Sequence, residues 1–329
     1  MSRKLQGKRV LITGGAGFIG SNLCEEMLAC ENRVICFDNF ATGKRENVQP
    51  FLDHPNFTLI EADIRDYKAV KEAMADCDTV LHQAALGSVP RSINDPLTTN
   101  EVNITGFLHV MQAARETGMK RVVYAASSST YGDSKALPKR EDVIGLPLSP
   151  YAVTKYVNEL YAKVYGDLFG VETIGLRYFN VFGKRQTPDG AYAAAIPKFI
   201  RAFLEHKSPV LHGDGRQTRD FTYIANVIQM NHLAAVTDNP EAVNKVYNTA
   251  CGDRTNLLEL TEIIREALVR FDPAVAKVKT EFGPAREGDV RDSLADVSRA
   301  EALLGYRPTH KLREGIREAI DWYWSNLKG

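Results

Sequence analysis

Apolar and polar positions alternate between two periods through the first half of the chain. Short runs of β-rich apolar residues at 9–13, 33–38, 57–61, 79–83, 121–126 and 172–178 predict strands buried on both faces. Between them, segments 19–30, 67–75, 102–117 and 150–169 carry apolar residues at helical spacing. In 102–117 the stripe is Val102, Phe107, Val110 and Ala114. Such strands separated by helices predict an α/β fold, a doubly wound parallel sheet of the Rossmann type. Right-handed crossovers then place a ligand crevice at the carboxyl ends of the strands.

Beyond Asn180 the pattern degrades. Residues 183–192 are rich in Gly, Pro and polar side chains, and 210–215 suggest a strand and turn. Helices are expected at 196–204, 226–236, 258–270, 298–304 and 312–324, with a strand at 245–249. These short elements predict a smaller C-terminal substrate-binding lobe that closes over the crevice. The expected division is discontinuous. The first domain takes 1–180 with 221–249 returning to it, and the lobe takes 181–220 and 250–329.

Composition mainly excludes. Lysine and arginine total 41 and acidic residues 41, so the formal net charge is +0. No global field exists to hold nucleic acid or an anionic membrane, and an anionic ligand needs local basic groups. The five cysteines, Cys24, Cys30, Cys36, Cys77 and Cys251, form no CxxC pair and fit reduced structural thiols. The histidines are scattered, so no metal site is expected. The early apolar run, Val10 to Ile12, is shorter than the core of a signal peptide, which needs about 7–15 residues. No run approaches the roughly 18 apolar residues of a membrane span. These features lead to the expectation of a soluble, cytoplasmic protein.

Candidate chemistry begins where the first strand meets the first helix. Thr13-Gly14-Gly15-Ala16-Gly17-Phe18-Ile19-Gly20 has the strand–turn–helix context of a dinucleotide site. Gly14 permits the tight turn, Gly17 lets a pyrophosphate approach the backbone, and Gly20 lets helix and strand pack closely. The helix N-terminus offers unpaired N–H groups to phosphate. Asp38 ends the second strand, 18 positions after Gly20. A carboxylate there accepts the ribose hydroxyls and repels a 2′-phosphate, which favours NAD over NADP. Asp63 and Ile64 are placed to meet the adenine, and Gln83, Ala84 and Ala85 put small residues beside the cofactor.

Tyr151-Ala152-Val153-Thr154-Lys155 follows Ser149-Pro150, a helix start. The i,i+4 spacing puts Tyr151 and Lys155 on one helix face. A free phenol titrates near 10, and a neighbouring ammonium is expected to stabilise its phenolate. The preceding strand ends in Ser127-Ser128-Ser129-Thr130-Tyr131-Gly132, and a serine there can hydrogen-bond both the tyrosine and a reacting hydroxyl.

TGGAGFIG, the acidic strand end, the serine run, YAVTK and Leu176-Arg177-Tyr178-Phe179-Asn180 resemble the extended short-chain dehydrogenase/reductases. Over nearly its whole length the chain is similar to the UDP-hexose 4-epimerases. The segment from His82 to Ser92 is close to the branch acting on N-acetylated sugars. The resemblance implies that Gly14, Gly17, Phe18, Ile19, Asp38, Asn39, Asp63, Ile64, Gln83, Ala84, Ala85, Asn103, Lys155 and Tyr178 contact NAD. Tyr151 would be the base, with Lys155 beside it and Ser127 or Ser128 as the catalytic serine. Ser88, Asn180, Arg219 and Arg286 would hold a UDP-sugar, with Asp289 on the uridine ribose. Ser293 matches a position where relatives restricted to unsubstituted hexoses carry tyrosine; serine frees room for an acetamido group. The implied reaction is inversion at carbon 4 through a 4-keto sugar, and the implied assembly is a homodimer through the 102–117 and 150–169 helices.

Three alternatives remain on the sequence. A nucleotide-sugar 4,6-dehydratase needs an extra acid–base pair, supplied in relatives by Asp-Glu where this chain has Ser128 and Ser129. A uronate 4-epimerase differs only in pocket polarity. A non-catalytic NAD-binding regulator can lose the tyrosine or lysine, and this chain keeps both.

Overall fold

The computed structural model describes residues 3–188, 194–284 and 291–328. Its centre is a seven-stranded parallel sheet. Along the chain it is built from β1 (Arg9–Thr13), α1 (Phe18–Ala29), β2 (Arg33–Asp38), β3 (Phe57–Glu61), α2 (Tyr67–Met74) and β4 (Thr79–His82). Then follow α3 (Val89–Asn94), α4 (Pro96–Asn100), α5 (Gly106–Glu116), β5 (Arg121–Ser127), α6 (Pro150–Phe169) and β6 (Glu172–Tyr178). A short strand β7 (Val181–Phe182) leads into the lobe, with α7 (Ala195–Leu204), β8 (Val210–His212), β9 (Thr218–Arg219) and β10 (Thr222–Tyr223). The chain returns through α8 (Ile224–Val236) and β11 (Lys245–Thr249). It ends with β12 (Thr255–Asn256), α9 (Leu257–Val269), β13 (Glu281–Gly283), α10 (Ser298–Leu304) and α11 (Leu312–Leu327).

The sheet order is β11-β6-β5-β4-β1-β2-β3. Strand order reverses beside β1, which pairs with β2 on one side and β4 on the other, so the crevice opens there. Successive β1 residues point to opposite faces. Val10 and Ile12 join a core roofed by Leu23 and Met27 of α1 and Met230 of α8. Leu11 joins the opposite core, under Val70 of α2, Phe107 and Val110 of α5 and Ala162 of α6. A separate core in the lobe joins Phe199 of α7, Ile263 of α9 and Ile320 of α11. No helix among the described residues is long and apolar enough to cross a membrane, and all five cysteines are free thiols.

The helix expected over 102–117 does not begin as an α-helix. Glu101–Thr105 forms a π-helical turn, and regular α5 starts at Gly106. The cause is tertiary: Asn103 turns inward, accepting from Leu86 N–H at 2.8 Å and donating to Thr154 Oγ1 at 3.1 Å. Helix α6 starts and stops as its sequence dictates. Ser149 caps it by accepting from Ala152 N–H at 3.2 Å, Pro150 opens it, and Gly170 ends it at φ +69°.

Candidate active site

A cavity of about 570 Å³ lies at the carboxyl ends of β1, β4, β5 and β6. At one end is the glycine turn. Gly14 sits at φ +68°, and a Cβ there would fall 2.7 Å from Ala84 N. At Gly20 a Cβ would fall 2.0 Å from Gly14 O, so the turn and α1 touch backbone to backbone. Gly17 differs: a Cβ there would meet only Gly14 O, at 3.2 Å, and the residue faces the crevice with Phe18 and Ile19. No side chain caps the N-terminus of α1.

Asp38 lines the crevice from the end of β2. Its Oδ2 accepts from Ala16 N–H at 2.9 Å and its Oδ1 from Phe40 N–H at 2.7 Å, so it also ties the turn after β2 to the glycine loop. Burial pushes this carboxyl up, and the two hydrogen bonds oppose the push. Asn39 donates to Asp63 at 2.7 Å, and Arg65 binds the same carboxylate through Nε and Nη2. Arg65 holds Asp63 near 2. Ile64, Ala84 and Ala85 line the same wall. Gln83 and Tyr178 face the crevice in a closed group with Asn231: Tyr178 Oη donates to Gln83 Oε1 at 3.1 Å and accepts from Asn231 Nδ2 at 3.0 Å. Asn103 is 1% exposed and uses its amide to fasten Leu86, which lines the crevice, to Thr154.

At the other end, Tyr151 and Lys155 lie on one face of α6 and both line the crevice. Ser92 Oγ accepts from Tyr151 N–H at 3.0 Å, which docks α3 on the start of α6. Lys155 is buried and donates from Nζ to Ala125 O at 2.7 Å. Burial draws it down to about 8, and the Glu159 carboxylate one turn on opposes that. Ser127 lines the crevice, and Ser128 does not. Ser129 stands behind, donating through Oγ to Ser127 Oγ at 2.9 Å. The Tyr151 phenol is buried at the reactive end. Burial raises Tyr151 above its ordinary value, and a hydrogen bond with Ser127 is what pulls it back. Lys155 has turned its ammonium toward the strand carbonyl.

On the lobe side, Ser88 and Asn180 reach the crevice. Ser88 caps α3 by accepting from Arg91 N–H at 3.2 Å. Asn180, at φ +35°, donates to Asp220 O at 3.0 Å. Arg219 and Ser293 do not line it; they sit on the adjoining β9 edge, where Ser293 N–H donates to Thr218 O at 3.1 Å. Arg219 donates through Nη1 to Thr218 O and Arg291 O. Arg286 and Asp289 lie outside the described residues. A second cavity, of about 330 Å³, opens in the lobe between α7 and β8 and includes Lys198, His212 and Gln217.

Three further residues of this site lie outside the set expected from the sequence. Arg91 lines the crevice from α3, and only its neighbour Ser88 was singled out. Asn231 belongs to α8, far along the chain from Gln83. Asp220 is fully buried. It accepts from Cys251, Gly252 and Ala295 N–H at 3.0, 3.1 and 3.3 Å, joining the end of β11 to the 291–295 segment. An Asp adjoining a candidate ligand arginine was the available signal.

The open approach to Gly17, the uncapped helix and the Asp38 rim fit a dinucleotide, with Tyr151 and Lys155 at its reactive end. This is the site of an NAD-dependent enzyme on a Rossmann fold. The chain belongs to the NAD dependent epimerase/dehydratase family, whose profile matches residues 10–250. It is similar to the UDP-glucose 4-epimerase of Mycolicibacterium smegmatis, 33% identical over 96% of this chain and 98% of that protein. Among solved structures it is similar to a UDP-N-acetylglucosamine 4-epimerase from Methanobrevibacter ruminantium in complex with UDP-N-acetylmuramic acid. That pair has a TM-score of 0.90 and 39% identity, covering 98% of this chain and 99% of the other. The Thermus thermophilus UDP-glucose 4-epimerase complex with NAD gives a TM-score of 0.83 and 34% identity, covering 97% and 99%.

Proposed function

We propose that this protein is a UDP-N-acetylglucosamine 4-epimerase, interconverting UDP-GlcNAc and UDP-GalNAc, with turnover also on UDP-Glc and UDP-Gal. The observation that carries the reading is the meeting of Tyr151, Ser127 and Lys155 in the crevice that holds the glycine turn. NAD, bound along Gly14, Gly17, Asp38 and Tyr178, supplies reversible hydride acceptance at carbon 4. Tyr151 takes the proton of the sugar's 4-hydroxyl and later returns it. Ser127 hydrogen-bonds the same oxygen, and Lys155 holds positive charge beneath the phenol. The 4-keto sugar turns over while its UDP stays fixed, so binding energy belongs on the nucleotide, remote from the reacting carbon. Asn180, Arg219, Arg286 and Asp289 hold it, and the second cavity, whose Gln217 is two residues before Arg219, takes the uridine. Ser88 and the small Ser293 leave room for the acetamido group.

In this reading 1–180 and 221–249 form the NAD-binding domain, and 181–220 and 250–329 the sugar-nucleotide lobe. The enzyme works in the cytoplasm as a homodimer. Val153, Leu160, Val164 and Leu168 leave an apolar stripe on α6 between 45% and 70% exposed, which a second α6 would cover.

A UDP-uronate 4-epimerase is the second reading, favoured by the Arg91 guanidinium in the crevice lining, which suits a sugar carboxylate. One experiment separates them: incubation with UDP-GlcNAc, UDP-Glc and UDP-glucuronate, with products resolved by NMR. Epimer formed from UDP-GlcNAc supports the first reading. Epimer formed from the uronate alone replaces it with the second.

A further inference from the structure

Two buried charges beside Lys155 have no part in the reaction as proposed. Tyr151, Lys155 and Glu159 occupy positions i, i+4 and i+8 of α6 and share one face. Glu159 is gripped by Arg177 of β6, whose Nε and Nη2 donate to Oε1 and Oε2 at 2.9 and 2.7 Å. Arg177 is 2% exposed; its Nη1 donates to Glu141 O at 3.1 Å, and its guanidinium carbon lies 4.8 Å from the Tyr131 ring centroid. A buried pair of this kind adds little stability over apolar replacements, because desolvating both ions cancels most of their attraction. Its placement one turn from a buried lysine points to a different role.

We propose that Glu159 and Arg177 are positioning residues for Lys155: the carboxylate is a fixed counter-charge that keeps the ammonium protonated, and the guanidinium fork fixes the carboxylate. The proposal rests on the 4-epimerase reading and deepens it. The ionisable groups that act on the lysine are Glu159 from α6 and His82 from β4; Tyr151 lies one turn before it on the same helix, and Arg177 of β6 and Tyr124 of β5 stand beside Glu159. His82 is neutral, held near 3 by burial and by the lysine's own charge. Burial also favours the neutral form of Tyr124, and that of Tyr151 until the positive charge of bound oxidised cofactor stabilises its phenolate. Glu159 is therefore the anion, among these groups, that opposes the pull of burial on Lys155.

The test compares the pH dependence of kcat for NAD-loaded wild type, Glu159→Gln, and the double variant Glu159→Gln with Arg177→Met. Thermal midpoints are measured in parallel so that each kcat refers to folded enzyme. In both variants the alkaline limb should move down by about one pH unit, and kcat at pH 8 should fall about five- to ten-fold with KM nearly unchanged. Glu159→Asp, which keeps the charge, should move the limb less. The single variant leaves Arg177 unpaired; if it does not fold, the double variant carries the test. A folded double variant whose alkaline limb coincides with that of wild type overturns the proposal and leaves the pair a structural role. Wild-type enzyme that binds NAD yet epimerises no UDP-sugar sinks the 4-epimerase reading instead, so the two failures are distinct.

Discussion

The ring of His82 lies 2.8 Å, through Nδ1, from the Thr13 hydroxyl that opens the glycine turn. That hydroxyl also accepts from Ala84 N–H at 3.3 Å, so it joins the glycine turn to the imidazole and to the chain just after β4. Burial holds His82 neutral, near 3. The unfolded chain binds a proton near 6.5 that the folded chain refuses. Stability should therefore be full above pH 6.5 and fall as pH drops from there toward 3, at up to about 1.4 kcal/mol per pH unit from this residue. Urea unfolding at pH 7 and pH 5 checks it. His82→Gln should flatten the difference, and an equal slope in that variant would assign the effect elsewhere.

Replacing the phenol tests the proposed base. Tyr151→Phe keeps the ring and its packing, and Tyr151 N–H still donates to Ser92. Epimerase kcat should drop by about 10²–10⁴-fold, the range for a lost acid–base group. NAD content after purification should be unchanged. NMR of UDP-GlcNAc incubations gives the rate directly, and most of the turnover surviving would exclude Tyr151.

The crevice took Ser127 and left out Ser128. Ser127→Ala should reduce kcat strongly, and Ser128→Ala by less than about three-fold, since only the former loses a hydrogen bond to charge-bearing atoms. Initial rates of the two variants at saturating substrate decide it. The reverse order would hand the role to Ser128.

Ser293→Tyr should shift sugar preference. A phenol placed there fills the space assigned to the acetamido group, and overpacking of that kind costs about 1–3 kcal/mol. Turnover of UDP-GlcNAc relative to UDP-Glc should fall about 10- to 100-fold in kcat/KM. Equal loss on both sugars would mean that Ser293 does not gate the pocket.

The α6 stripe makes the assembly testable. Leu160→Arg places a charge at a position that is 49% exposed in the single chain. Light scattering should report a dimer for wild type and a monomer for the variant, with the fold intact by circular dichroism. A variant that stays dimeric moves the interface off α6.

Much of this was legible because it is local. The central strands announce themselves as apolar runs, and the glycine turn, Ser149-Pro150 start and Tyr151/Lys155 spacing are fixed by backbone geometry. Short elements were not. Helices α3 and α4 span only 6 and 5 residues, too few to show a period, although Ser88 and Asp95 cap them and prolines open them. The two-residue strands β7, β9, β10 and β12 carry no pattern at all. The π-helical turn and the fate of Asn103 depend on Leu86 and Thr154, contacts that no window of sequence contains. The hold of Ala125 O on the Lys155 ammonium is likewise a tertiary contact between β5 and α6.

The pairing of β11 with β6 reaches back across the inserted lobe, from Lys245↔Ile174 to Thr249↔Tyr178. During synthesis, β6 leaves the ribosome with one row of backbone groups unmatched, and its partner follows only after residue 244. The nascent chain thus carries an open strand edge over that interval, a template for association with other chains. Truncations ending near residue 180 should inherit that edge permanently and aggregate, so the cofactor domain is to be expressed with the lobe attached.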